Sequence, residues 1–122
     1  MGTSPAALAN MSNFFSNLPA SAAAELTTVL LQNPALRIER IASFRHASPH
    51  GFWYDQAHEE WVMLVRGTAT LRWHDGASED LVAGDFRLIA AGRRHRVEQT
   101  SHDALWLAVH FQAQDAKTPP PA

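Results

Sequence analysis

The stretch Gly51–Gly67, GFWYDQAHEEWVMLVRG, decides how the rest of the chain is read. Aromatic residues, acids and a histidine lead into Trp61–Arg66, a run rich in residues that favour sheets, and Gly67 ends it. A second stretch, Gly84–Gln99, GDFRLIAAGRRHRVEQ, has the same glycine punctuation and contributes His95. The two read as facing walls of one pocket inside a small β-barrel.

Outward from these blocks the pattern stays extended. Ala69, Leu71 and Trp73 alternate with Thr68, Thr70 and Arg72, which places the first three on one face. His74-Asp75-Gly76 is a hairpin signal and Ser48-Pro49-His50-Gly51 a turn. Further strands are expected at Leu36–Ile38, Ile41–His46, around Leu81, and at Phe86–Ala90, His95–Gln99 and Leu105–Phe111. Short strands with a turn every roughly eight to twelve residues predict an all-β fold, an antiparallel jelly-roll barrel over residues 36–112. Upstream, Ser21 is a plausible N-cap, and Leu26, Val29 and Leu30 recur at helical spacing before Asn33-Pro34. That predicts a short N-terminal helix within 13–35. Residues 1–12 and the tail 113–122, with Pro119-Pro120-Pro121, are expected to be flexible.

Composition narrows the function. At 122 residues the chain reads as one domain able to bury a core. Ten basic against twelve acidic residues leave a net charge of −2, which argues against broad binding to nucleic acid or anionic membrane. With no cysteine, disulfides, thiolate metal sites and a cysteine nucleophile are excluded. No apolar run approaches a bilayer span, and the first basic residue is Arg37, so a cytoplasmic protein is expected. No Gly-rich phosphate loop and no marked Ser-His-Asp nucleophile are present.

The two blocks resemble the motifs of the cupin superfamily. In that family's first motif a glutamate precedes a glycine with six residues between, as Glu60 precedes Gly67. The two histidines expected before the glutamate are replaced by Tyr54 and Gln56, or by Trp53 and Asp55 if the gap is one longer. In the second motif Gly84, Gly92 and His95 keep their spacing, while Ala90 and Gln99 stand in place of proline and asparagine. The glycines at 67, 84 and 92 would take positive-φ turn positions.

The resemblance implies a divalent metal, Zn, Fe, Mn or Ni, held inside the barrel, with Glu60, His95 and Gln56 at ligand positions. It implies catalytic roles for Glu60 and His95, with Trp53, Tyr54 and Gln56 lining the substrate pocket. A neutral amide is a poor ligand, and a phenol binds well only once deprotonated, so the donor set is depleted. His58, Asp55, His46, His50 and His110 are the residues that could replace the lost ligands. His58 reads as exposed and His110 as a satisfied core histidine. Arg94 and Arg96 should point away from His95. The expected function is a small-molecule enzyme of dioxygenase, isomerase or lyase type; the alternative is a non-catalytic ligand-binding barrel. A carboxylate and an imidazole in a dry pocket could also act without metal. By analogy a homodimer is expected.

Overall fold

The computed structural model describes residues 13–112. The expected flexible segments 1–12 and 113–122 lie outside them. Eight strands follow in order: β1 (Leu26–Asn33), β2 (Leu36–Ser43), β3 (Glu59–Arg66), β4 (Thr68–Trp73), β5 (Ser78–Val82), β6 (Phe86–Ile89), β7 (His95–Thr100) and β8 (Ala104–Phe111). They form a five-stranded sheet, β1-β2-β8-β3-β6, and a three-stranded sheet, β5-β4-β7. The pairings within both sheets are antiparallel.

The expected N-terminal helix is corrected to strand β1. Thr27, Thr28 and Val29 are β-branched and stiff at χ1, which suits a strand better than a helix. Asn33 Oδ1 accepts from the Ala35 N–H at 2.8 Å and closes a tight turn that pairs Asn33 with Leu36. Leu26 and Val29 lie on opposite faces of β1 and Leu30 sits in a bulge, so the three do not make one apolar stripe. Register jumps from Val29↔Glu39 to Leu31↔Ile38, leaving Leu30 as the extra residue and breaking the period of two. The sheet therefore begins at residue 26. The two extended pieces expected around Ile38 and Ile41 are one continuous strand, β2.

Alternation in β4 is as expected: Ala69, Leu71 and Trp73 are buried. They pack with Leu81 against Val62, Leu64, Trp106 and Ala108 of the larger sheet to make the core. Gly67, Gly84 and Gly92 have φ of 86°, 97° and 78°, the positive values expected.

The larger sheet is apolar on its outer face too. Register places Leu31, Ile38, Val109, Trp61 and Leu88 in one row across all five strands, and Leu107, Met63 and Phe86 in the next. Arg40, in that second row, is buried and donates from Nη1 to the Phe14 and Ser16 carbonyls at 2.9 and 2.6 Å. These bonds tie the N-terminal segment to the face. Leu31, Phe86 and Leu88 stay exposed.

Candidate functional site

A cavity of about 290 Å³ opens between the sheets. Its apolar floor is Ile41, Val62, Leu71, Ile89, Val97 and Trp106. Its polar groups are Glu25, Arg37, Glu39, Tyr54, Gln56, Glu60, His95 and His110. Strand pairing explains the grouping. Glu60 in β3 lies opposite His110 in β8, and His110 opposite Arg37 in β2, so carboxylate, imidazole and guanidinium stand in one inward row.

Glu60 and His95 are 7% and 4% exposed, the two motif residues buried at the same cavity. Tyr54 and His95 exchange backbone hydrogen bonds, Tyr54 N–H to the His95 carbonyl at 2.7 Å and His95 N–H to the Tyr54 carbonyl at 3.2 Å. Their rings stack at 5.3 Å. His95 Nδ1 lies 3.0 Å from the Arg93 carbonyl. A carbonyl can only accept, so Nδ1 carries the proton, and in the neutral ring Nε2 keeps its lone pair. Nε2 has no protein partner among the described residues.

Gln56 points Nε2 at Glu60 Oε1, 3.3 Å away, while its own Oε1 is buried with no partner. The Tyr54 phenol is pushed above its ordinary pKa by burial first, then by the Glu25 and Glu60 carboxylates. It stays protonated and able to donate.

Trp53 is a correction. Neighbours in an extended segment point to opposite sides, and with Tyr54 turned inward Trp53 faces out. It packs edge-on against His74 at 4.8 Å, with Arg96 5.8 Å from its ring, and does not line the cavity. Asp55 and His50 are exposed, and neither lines it. His46 is held by the Phe44 N–H and the Ala23 carbonyl. Arg96 turns away from His95, as expected, to the carbonyls of Ser48, Pro49 and Phe52.

His58 is half-buried, against the expectation of exposure. Its Nε2 lies 2.8 Å from His110 Nδ1, and His110 Nε2 lies 2.9 Å from Glu39 Oε1. The carboxylate accepts from His110 Nε2–H, and when the ring is neutral His110 Nδ1 is then the acceptor for His58. Arg37 Nε is 2.9 Å from the other Glu39 oxygen, an ion pair whose N–H is not aimed for a hydrogen bond. Alternation along β2 was the signal that could have placed Glu39 and Arg37 inside. No motif marks them.

The His110 hydrogen bond first, with the His110 and Arg37 charges adding, holds the Glu39 carboxyl below its usual range despite burial. A depressed carboxyl contributes stability that is full above its unfolded value and is lost as pH falls through the folded value. His110→Leu is expected to cost about 1–3 kcal/mol at neutral pH, because it leaves Glu39 short of a donor. It should also flatten the stability loss below about pH 4. Urea melts of both proteins across acid pH measure the two effects.

Glu60 and His95 give one carboxylate and one imidazole; Gln56 turns an N–H toward Glu60, and Tyr54 resists ionisation. Among the described residues no three His, Asp or Glu side chains converge as a metal-binding group. These residues do not fit a tightly held transition ion, which needs three or four good donors.

Fold and cavity define a jelly-roll barrel protein with an interior site of small-molecule size. Among solved structures it is similar to a "putative mannose-6-phosphate isomerase" of Ralstonia eutropha, at 40% identity, covering 84% of this chain and 98% of that one, with a TM-score of 0.81. A cupin superfamily protein of Desulfitobacterium hafniense (15% identity, 79% and 84% coverage, TM-score 0.68) shares the fold. So does an RmlC-like cupin of Methanocaldococcus jannaschii (13% identity, 78% and 86% coverage, TM-score 0.64). No family model and no curated protein matches. The chain belongs to the cupin superfamily.

Proposed function

We propose that the protein is an acid–base enzyme that moves protons on a small hydroxy-carbonyl compound. The carrying observation is the buried pair Glu60 and His95 at one cavity, with His95 Nε2 bare. His95 Nε2 takes the proton from the carbon beside the carbonyl and returns it to the neighbouring carbon. Glu60 carries the hydroxyl proton between the two oxygens. Tyr54 O–H donates to the oxygen on which negative charge develops. The name of the Ralstonia relative, an isomerase, supports this class of reaction. The metal-ligand role for Glu60, His95 and Gln56 is the weaker reading, for the donor set described above.

The test is incubation of unphosphorylated and phosphorylated hydroxy-aldehydes and hydroxy-ketones with the protein in deuterium oxide, followed by proton NMR. Loss of the C–H signal beside the carbonyl, slowed about a hundredfold or more in His95→Asn, is the expected result. Binding without exchange would support the non-catalytic ligand-binding reading instead.

Two copies are also proposed to pair across the outer face of the larger sheet. The apolar row Leu31, Ile38, Val109, Trp61 and Leu88 supports this, since monomers seldom expose such continuous patches. Sedimentation should give a dimer for the wild type and a folded monomer for Trp61→Glu combined with Leu88→Lys.

A further inference from the structure

We infer that the cavity selects a small hydroxylated molecule carrying a protonated amine, and rejects phosphorylated and carboxylated ones. This rests on the acid–base reading of the same site and names its substrate class.

Three carboxylates, Glu25, Glu39 and Glu60, face one guanidinium, Arg37. Arg37 lies against Glu39, whose other oxygen accepts from His110, so that pair is internally compensated. Glu25 and Glu60 are not. Glu25 accepts from the Ser43 hydroxyl at 2.8 Å and Glu60 from the Gln56 amide, both neutral donors that leave the charge in place. Both carboxylates raise the Tyr54 pKa, so their field reaches the phenol.

The unmet polar groups point the same way. Glu60 has one weak donor, Gln56 Oε1 is buried without a partner, and His95 Nε2 offers a lone pair. All three accept hydrogen bonds. An ammonium brings three donors and no acceptor, and hydroxyls can supply further donors. A phosphate brings only acceptors and needs Arg, Lys or a helix N-terminus. No lysine and no helix occur among the described residues. The remaining nearby arginines are committed elsewhere: Arg93 lies 3.6 Å from the Trp73 ring centroid, Arg87 pairs with Glu79, and Arg96 with backbone carbonyls and Glu98. Charge therefore separates this chain's substrate from the phosphosugar in its relative's name.

Nitroxides of one shape and three charges test this: amino-TEMPO, hydroxy-TEMPO and carboxy-TEMPO, each added to the folded protein. The readout is paramagnetic relaxation of the Trp106 and His95 ring protons, with Trp61 on the outer face as reference. The amino-to-carboxy ratio at the cavity rings should exceed that at Trp61 about tenfold. It should fall in Glu25→Gln and in Glu60→Gln and rise in Arg37→Gln. Glu25 is exposed at the strand edge, so its variant tests the charge with little risk to folding. Equal relaxation by the amino and carboxy probes, or stronger relaxation by the carboxy probe, would overturn the charge preference and leave the acid–base reading standing. No relaxation of the cavity rings by any probe would mean that no such molecule enters, and would overturn both.

Discussion

His95→Asn is expected to slow deuterium exchange beside the carbonyl by about a hundredfold or more, while ligand affinity holds within about threefold. Asparagine fills much of the same space, and its amide can still donate to the Arg93 carbonyl that His95 Nδ1 reaches at 3.0 Å. What it lacks is the basic nitrogen. An amide cannot take a proton from carbon at neutral pH, so the loss falls on kcat rather than on KM. The environment makes the test sharp. His95 is 4% exposed, stacked on Tyr54 and tilted over Trp73 at 5.9 Å, so water is poorly placed to substitute. Glu60→Gln should produce a loss of similar order if Glu60 carries the hydroxyl proton. A loss confined to affinity would assign both residues to binding. Exchange rates and dissociation constants of the same variants decide between these outcomes.

Gly67→Ala is expected to destabilise the fold by about 3 kcal/mol or more, whereas Gly51→Ala should cost only about 1 kcal/mol. The two glycines share a positive φ, 86° and 78°. They differ in room. A Cβ at Gly67 would strike Ser101 Oγ and lie 2.9 Å from both Ala104 Cα and Asp103 Oδ1; at Gly51 nothing stands within 4 Å. Ser101 cannot easily retreat. Its Oγ accepts from the Thr68 N–H and donates to Asp103 Oδ1, while the Asp103 carbonyl accepts from Arg66 Nε. This network joins the β3–β4 connection to the start of β8, where the chain passes from one sheet to the other. Urea melts of the two variants, compared at equal m-value, give the difference.

The barrel was legible because period and punctuation agreed. Alternation in Thr68–Trp73 and glycines at 67, 84 and 92 carry most of the topology, and each stands where the pattern put it. In β1 the apolar residues fall on both faces, Leu26 on one and Val29 on the other with Leu30 in a bulge, and that mixture imitates helical spacing. The site divides similarly. Glu60 and His95 were reachable through motif spacing, and both lie at the cavity. Trp53 and Tyr54 could not be told apart without knowing that Tyr54 bridges to His95. The Glu39–His110 and His58–His110 contacts depend on the pairing of β2, β3 and β8, which joins residues up to 75 positions apart, Leu36 with Phe111. No local pattern encodes that pairing. The same pairing reveals the apolar outer face, whose residues look like ordinary core positions when read one strand at a time.

The most direct measurement is the nitrogen-15 spectrum of His95 in the folded protein, with histidine-selective labelling and assignment through a His95→Asn control. The expected result is a ring that holds its proton at Nδ1 against the Arg93 carbonyl, with a bare Nε2 whose resonance moves when an amine-bearing ligand enters. A ring protonated at Nε2 alone would contradict it, because the nitrogen available to the cavity would then hold a proton instead of taking one.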